Sequence, residues 1–167
     1  CHLFLGEKER MKFSLLLVLI LVLSLVLRVW GLDRVPPELF GDELDVGYHA
    51  FSLLQTGRDY YGQFLPFYIH SFSEWRAPLL MYATVPFVGI FGLNEWGVRL
   101  PSAVFGSLSI LFFYLLVVKI LKNKIVGIIA VALLTISPWH LQYSRTAFEV
   151  SLLLMLVLGG ALLFLRG

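Results

Sequence analysis

Apolar residues are grouped along the chain into five long runs, at about 13–30, 78–93, 100–120, 125–141 and 148–165. Runs that approach about 20 apolar residues can cross a bilayer as helices. As a helix, the first run would be roughly 27 Å long, close to the thickness of the hydrocarbon layer. A cleaved signal peptide is the alternative, but its apolar core is usually only about 7–15 residues long and is followed by a small-residue cleavage pattern. The first run therefore predicts a membrane span.

The basic residues decide which later runs span the membrane. They precede the first run, separate the third from the fourth, and follow the fifth: Lys8, Arg10, Lys12, Lys119, Lys122, Lys124 and Arg166. Basic residues favour the cytoplasmic side, and all seven lie there only if 78–93 stays on the outer surface. That run is short and contains Pro86 and Gly89. We therefore expect an all-α integral membrane protein, a multi-span helical bundle with its amino terminus in the cytoplasm, spans at about 13–30, 99–120, 125–142 and 148–165, and 78–93 as a juxtamembrane helix.

This topology leaves residues 31–97 as one long extracytoplasmic first loop. The loop holds eight of the eleven acidic residues, namely Asp33, Glu38, Asp42, Glu43, Asp45, Asp59, Glu74 and Glu95. Loops of such length in a compact protein are usually functional. The many aromatic residues of the loop suggest that it lies on the membrane surface.

Within this loop, the stretch "GDELDVGYHAFSLLQTG" predicts a short amphipathic helix. Asp42 is expected as its N-cap, and Gly57 lies just past its end. Leu44, Tyr48 and Phe51 share one side at helical spacing. A capping aspartate accepts backbone N–H bonds and stays ionised at neutral pH.

A cap explains one carboxylate but not the adjacent pair Asp42 and Glu43. Adjacent side chains on a helix diverge by about 100°, so the two cannot reach one atom unless Asp42 precedes the helix. We expect one to meet substrate and the other a neighbouring cation or metal. Exposed interfacial acid without a catalytic role is the alternative.

Arginines flank the outer apolar segment. Arg76 precedes the juxtamembrane helix and Arg99 lies at the outer end of the second span. Arginine at a membrane surface ordinarily contacts lipid headgroups, and the alternative is a phosphate clamp, because guanidinium matches phosphate oxygens in a bidentate manner. At the outer end of the first span, Arg28 and Trp30 are expected to anchor the helix, with the arginine extended to the interface.

The stretch "SPWHLQYSRTAFEV" interrupts the apolar pattern between the last two spans. Pro138 is expected to kink or end the third span. Arg145 and Glu149 are four residues apart and could pair on a helix. Ionisable residues near lipid are functional candidates by default, whereas His140 alone specifies no metal site and is expected to be interfacial.

Composition supports a membrane protein and narrows its chemistry. The chain is 59% hydrophobic and 15% aromatic, with a net charge of +2 that gives no support for a nucleic-acid partner. Its single cysteine, Cys1, excludes an internal disulfide. The absence of Met at position 1 and the apolar run before Arg166 suggest the amino-terminal part of a longer protein, which by itself would be inactive.

The order of several segments resembles the amino-terminal part of membrane glycosyltransferases with the GT-C fold. After the first span come "GDE", "TG", "GQFLPF", "WRAPLLMY", "FGLNEWGVRLPSAVFG", a basic turn and "ISPWHLQYSRTAFEVSLLL". The nearest groups are protein-mannosyltransferase-like enzymes and the lipid A aminoarabinose transferases. The resemblance runs from about Phe13 to Leu165.

The resemblance implies transfer of a monosaccharide from a polyprenyl-phosphate donor to a protein, lipid or glycan acceptor at the extracytoplasmic face of the cell membrane. It makes Asp42 the general base, with Glu43 beside it, and implies substrate-binding roles for Arg76, Arg99, Arg145 and Glu149. Ala77 replaces the first proline of the family's Lys-Pro-Pro form, while Pro78 keeps the second. No cofactor is implied with certainty, and a divalent cation is left open.

Two other functions fit the same composition. A transporter or channel subunit would need polar groups or broken helices at mid-membrane, whereas here the predicted spans are nearly bare. A lipid-phosphate-binding membrane protein without catalysis is the second alternative.

Overall fold

The computed structural model describes residues 7–71 and 74–166, with side chains from residue 11 onward. Helices dominate the described chain, and a small hairpin interrupts them. In chain order the elements are α1 (Glu7–Val29), α2 (Gly41–Thr56), β1 (Ile69–Ser71), β2 (Glu74–Arg76), α3 (Leu79–Phe91), α4 (Glu95–Leu121), α5 (Lys124–Ile136), α6 (Pro138–Ser144) and α7 (Glu149–Phe164). The prediction of a helical membrane protein is confirmed.

Two helices of the described chain are long and apolar enough to cross a membrane, residues 11–29 of α1 and the whole of α4. A third candidate is the pair α5 and α6, which together resemble a span bent by 62°. The prediction for Pro138 is confirmed, because α5 ends before it and Pro138 opens α6. Proline is tolerated at the start of a helix, where no intrahelical N–H bond is required. The last predicted span corresponds to α7, which has only 16 residues.

The centre of the bundle is α4, which packs against α1, α3, α5, α6 and α7. A close approach at Gly106 makes this packing possible, because a Cβ added there would overlap the Cβ of Ser144 in α6. Two apolar clusters surround α4. One joins α1, α4 and α5 around Ile110 and Val131, and the other joins α2, β1, α3, α4 and α7 around Val98 and Met81.

The segment between α1 and α4, residues 30–94, corresponds to the predicted first loop and is a folded unit. Its helix α2 packs against α3, and both contact α4. As predicted, α2 ends at Gly57, which adopts φ +66°, a conformation that glycine reaches without steric cost. The antiparallel hairpin of β1 and β2 was not predicted. It pairs Ile69 with Arg76 and Ser71 with Glu74.

Two polar side chains expected at the membrane surface lie inside the bundle. Arg28 is completely buried and donates to Oγ of Ser24, Oγ of Ser144 and Nδ1 of His140. His140 is also buried, and its Nε2 lies 2.9 Å from Oγ of Ser109. The interfacial expectations for Arg28 and His140 are therefore wrong. Packing around Gly106 encloses the guanidinium and provides neutral hydrogen-bond partners from α1 and α6.

Candidate functional site

Asp42 lies at the second residue of α2, inside the helix and not before it. The residue that precedes the helix is Phe40, whose backbone N–H donates to Oε2 of Glu43 at 3.0 Å. The prediction of Asp42 as N-cap is therefore wrong. A Glu at the third helical position can reach back to the capping residue, as in a capping box, and this leaves the Asp42 carboxylate available for other contacts.

Arg76 is the partner of Asp42. The hairpin carries Arg76 to the start of α2, where its Nη2 donates to Oδ1 of Asp42 at 2.6 Å. Its Nε and Nη2 also donate to Oε1 of Glu74, at 3.0 and 2.8 Å. The side chains of Asp42 and Arg76 keep 31% and 14% of their exposure. Burial alone would lower the pKa of Arg76, but its hydrogen bonds to Asp42 and Glu74 raise it above the ordinary value.

This pair retains unused hydrogen-bonding capacity. Within the described chain, Oδ2 of Asp42 accepts no hydrogen bond and Nη1 of Arg76 donates none. An ionised carboxylate can therefore accept a proton next to a guanidinium that can bind an anion. The two side chains are partly exposed at the surface of the first loop.

Glu43, one residue further on, forms a buried ion pair with Arg99. Nε and Nη2 of Arg99 donate to the two carboxylate oxygens of Glu43, each at 2.8 Å. The same oxygens accept the backbone N–H groups of Phe40 and Ala147, each at 3.0 Å. Both side chains are almost completely buried. Adjacent carboxylates thus diverge to separate cations, as helical geometry predicts.

The remaining donors of Arg99 bind the start of the first loop. Nη1 donates to the carbonyls of Leu32 and Pro36, and Nη2 donates to that of Glu38. All five N–H groups of this guanidinium are therefore occupied. Arg99 fixes the chain between α1 and α2, a function that the sequence does not reveal because its partners lie more than 50 residues away.

Arg145 also binds backbone carbonyls, in this case at the end of α1. Its Nη1 donates to the carbonyls of Leu27 and Trp30, and its Nη2 to those of Gly31 and Val35. Carbonyls at a helix end lack intrahelical partners, and a cation there also interacts favourably with the helix dipole. Arg145 is about nine-tenths buried.

Glu149 begins α7 and, among the described residues, forms no ion pair with Arg145. A non-helical break between α6 and α7 removes the helical spacing on which that pairing would depend. Instead, Glu149 is within electrostatic range of Asp42, Glu74 and Arg76. The structure therefore brings two of the predicted residues, Asp42 and Arg76, into direct contact, while Glu43, Arg99 and Arg145 lie in buried contacts.

Glu74 was not among the predicted site residues. It lies two positions before Arg76 on β2, and residues two apart on a strand share a face. The two-residue spacing therefore indicates that Glu74 lies beside Arg76, but only once this segment is known to be a strand. Its side chain is 63% exposed, so Glu74 occupies the open side of Arg76.

Asp45 forms a third acidic contact of α2, without an arginine. Its two carboxylate oxygens accept hydrogen bonds from the hydroxyls of Tyr60, at 2.7 Å, and Ser71, at 2.6 Å. His49, one turn further along, is completely buried, and its Nε2 lies 3.6 Å from Oδ1 of Asp45. The His49 ring stacks on that of Tyr60 with 3.9 Å between centroids. Burial, followed by the hydrogen bond to Asp45, raises the pKa of Tyr60.

Two cavities flank the start of α2. One has a volume of about 540 Å³ and is lined by Gly41, Leu44, Asp45, Tyr48, Tyr60 and Tyr61. The other, of about 520 Å³, is lined by residues 36–40 and 43 together with Gln142, Thr146 and Phe148. Among the described residues, no group of three or more His, Cys, Asp or Glu side chains has an arrangement that could hold a metal ion.

A comparison with protein families matches residues 75–167 to the family of dolichyl-phosphate-mannose-protein mannosyltransferases. The match covers more than half of the chain. The chain belongs to this family. The family resemblance expected from the sequence is thus confirmed, and with it glycosyltransferase chemistry of the GT-C type.

The matched region contains Arg76, Arg99, Arg145 and Glu149 but not the acidic pair of α2. Comparisons with curated proteins and with solved structures gave no significant match.

Proposed function

We propose that the protein transfers a monosaccharide from a polyprenyl-phosphate-linked donor to an acceptor hydroxyl at the extracytoplasmic face of the membrane, with Asp42 as the general base. The observation that carries this proposal is the partly exposed ion pair of Asp42 and Arg76. It combines an unoccupied carboxylate oxygen with an unoccupied guanidinium donor. Family membership supports a glycosyltransferase, and a lipid-borne sugar would emerge from the bilayer near the first loop.

In the proposed reaction, Oδ2 of Asp42 takes the proton of the acceptor hydroxyl. The acceptor oxygen forms a bond to the anomeric carbon as the bond between that carbon and the phosphate oxygen breaks, and the phosphate leaves with the electron pair. Arg76 stabilises the negative charge that develops on the departing phosphate. Because phosphate is already an activated leaving group, an ionised aspartate is an adequate base.

The buried residues have positioning roles in this proposal. Glu43 joins the N-terminal turn of α2 to Arg99 and to the backbone of Ala147, so it fixes the direction from which Asp42 faces the substrate. Arg99 and Arg145 hold the segment between α1 and α2 through its carbonyls. Binding of phosphate by either arginine would require these contacts to break, so we assign phosphate binding to Arg76. Glu149 borders the substrate site.

Transfer of label from polyprenyl-phosphate monosaccharides in membranes containing the protein tests this proposal. We expect labelled acceptor with the wild type and a loss of about 10²- to 10⁴-fold in rate with Asp42→Asn, the usual contribution of a general base. Asp33→Asn is the matched control, because Asp33 lies in the same loop and is 41% exposed. Near-normal transfer by Asp42→Asn in correctly inserted protein would sink the assignment of the base.

A further inference from the structure

Arg76 reaches Asp42 from a hairpin whose strands have three residues each. Within it, Arg76 pairs with Ile69, and Glu74 pairs with Ser71. An isolated two-stranded hairpin is at best marginally stable in water. The position of the Arg76 guanidinium therefore depends on the contacts that attach the hairpin to the rest of the first loop.

One face of β1 attaches the hairpin to α2. Ile69 and Ser71 are both completely buried, and they share this face because alternate residues of a strand point to the same side. Ile69 belongs to an apolar cluster with Val46 and Leu53 of α2. Ser71 donates from Oγ to Oδ2 of Asp45 at 2.6 Å. The hairpin is thus connected to the helix by one apolar contact and one polar contact.

These two contacts constrain the hairpin differently. Burial of apolar side chains is non-directional, so Ile69 holds the hairpin against α2 without fixing its position along the helix. A hydrogen bond weakens steeply when it is misaligned, so the bond from Ser71 to Asp45 favours a single position. The side chain of Asp45 is itself completely buried and gives this bond a fixed end.

The bond to Asp45 lies about one helical turn from the bond to Asp42. The two acids are three residues apart on α2 and are therefore neighbours on the helix surface. The hairpin bonds to both, through Ser71 at Asp45 and through Arg76 at Asp42. A shift of the hairpin along α2 would change both bonds together. Misplacement of a binding group by about 1 Å can cost roughly 10²-fold in rate.

We infer that Asp45 is a positioning residue for Arg76. Through Ser71 and the pairing of the two strands, its carboxylate sets the place at which the guanidinium meets the phosphate of the donor. Asp45 itself needs no contact with the substrate. This inference rests on the proposed function, in which Arg76 binds that phosphate.

Ser71→Ala removes the hydrogen bond to Asp45 and keeps the strand pairing. In sugar-transfer assays with the protein in membranes, we expect KM for the polyprenyl-phosphate donor to rise by about tenfold and KM for the acceptor to stay unchanged. A tenfold change corresponds to about 1.4 kcal/mol, close to what a hydrogen bond to a charged group contributes. An unchanged donor KM would overturn the inference.

Tyr60→Phe is the matched control for loss of a hydrogen bond to Asp45. The Tyr60 hydroxyl donates to the other oxygen of the same carboxylate, at 2.7 Å, but Tyr60 lies outside the hairpin. Its removal therefore costs a comparable bond without releasing Arg76, and donor KM should stay near that of the wild type. A rise equal to that of Ser71→Ala would overturn the inference, because it would show a general loss of structure.

Substitution of Asp45 itself tests the hydrogen bond. Asp45→Ala should raise donor KM as much as Ser71→Ala does. Asp45→Asn keeps an amide oxygen that accepts from Ser71 and an amide N–H that donates to the Tyr60 hydroxyl, so it should restore donor KM to near the wild-type value. An Asn variant as impaired as the Ala variant would overturn the inference.

A double variant shows whether Ser71 acts through Arg76. Independent substitutions have additive free-energy effects, whereas substitutions in one connected network do not. Adding Ser71→Ala to Arg76→Ala should therefore leave donor KM at the value of Arg76→Ala alone. A further tenfold rise in the double variant would overturn the inference.

Trp75 reports the position of the hairpin without any substrate. It precedes Arg76 on β2, and its ring lies edge-on to that of His70 on β1, with 5.1 Å between centroids. Fluorotryptophan-labelled protein in lipid nanodiscs gives a fluorine NMR signal for Trp75, which Trp75→Phe assigns among the four tryptophans. Ser71→Ala should shift this signal and Tyr60→Phe should not. If the wild type transfers no sugar, the proposed function fails, whereas an unshifted signal in Ser71→Ala overturns the present inference whether or not sugar is transferred.

Discussion

Asp42 and Glu43 are adjacent in the sequence, and each pairs with an arginine from a later part of the chain. The two ion pairs nevertheless have different surroundings. Asp42 and Arg76 lie at the surface with unused hydrogen-bonding groups, whereas Glu43 and Arg99 are buried and bonded on every side. One helical turn thus keeps one carboxylate at the surface and directs the other into the protein.

The difference shows how the carboxylate that we propose as the base can be held in place without being completely buried itself. Exposed ion pairs contribute little to stability, typically about 0–1 kcal/mol. Removing one member of a buried pair leaves an uncompensated charge and costs about 3–5 kcal/mol. We therefore expect the buried pair to determine the stability of the site and the exposed pair to determine its chemistry.

Glu43→Ala should have the largest effect on stability. It leaves the Arg99 guanidinium buried without a counter-charge, and we expect a loss of about 3–5 kcal/mol in the free energy of unfolding. Asp42→Ala is the matched control, with an expected loss below about 1 kcal/mol. Denaturant unfolding in detergent micelles, followed by circular dichroism, measures both. Equal losses would show that the two pairs do not differ as the structure indicates.

Arg76→Ala should affect the reaction more than the fold. Hydrogen bonds to charged groups contribute about 1.5–3 kcal/mol, so KM for the lipid-phosphate donor should rise by roughly 10- to 100-fold. Stability should change by less than about 1 kcal/mol. Arg58→Ala is a suitable control, because Arg58 is also a first-loop arginine. It donates to the carbonyl of Gly62 and not to Asp42 or Glu74. An unchanged donor KM would remove Arg76 from the phosphate site.

Several features of the fold and of the site could be predicted from the sequence. The apolar runs predicted α1 and α4, Pro138 marked the break between α5 and α6, and Gly57 marked the end of α2. These features depend on local chemistry, namely hydrophobicity, a missing N–H group and a permitted positive φ. Divergence of the two adjacent acids followed from helical geometry alone.

Features that depend on distant partners were not predicted. The capping position of α2 depends on Glu43, which is held by Arg99 from α4 and by the backbone before α7. Burial of Arg28 likewise depends on Ser144 and His140, more than 110 residues away. The sequence around Arg28 does not distinguish an arginine at the membrane surface from one that other helices enclose.

Asp45 is a third acid of α2, and its surroundings differ from those of Asp42 and Glu43 because it lies beside a histidine and not an arginine. His49 is completely buried, and neither ring nitrogen has a hydrogen-bond partner in the described chain. Burial lowers the pKa of His49 below 6.5, a shift that Asp45, Asp59 and the backbone of His70 oppose and that Arg76 reinforces. The histidine is therefore neutral in the folded protein at neutral pH.

The smallest predicted effect is a loss of stability in acid. Because the pKa of His49 is lower in the folded protein, the unfolded chain protonates His49 more readily as the pH falls through 6.5, so the unfolded state binds more protons and stability falls. Over the first pH unit below 6.5 the loss from this residue is at most about 1.4 kcal/mol. His49→Phe keeps the ring stacked on Tyr60 but removes the titration, so its free energy of unfolding should fall less between pH 7.5 and 5.5. Since the other histidines are the same in both proteins, an equal fall in wild type and variant would show that His49 is not kept neutral by burial.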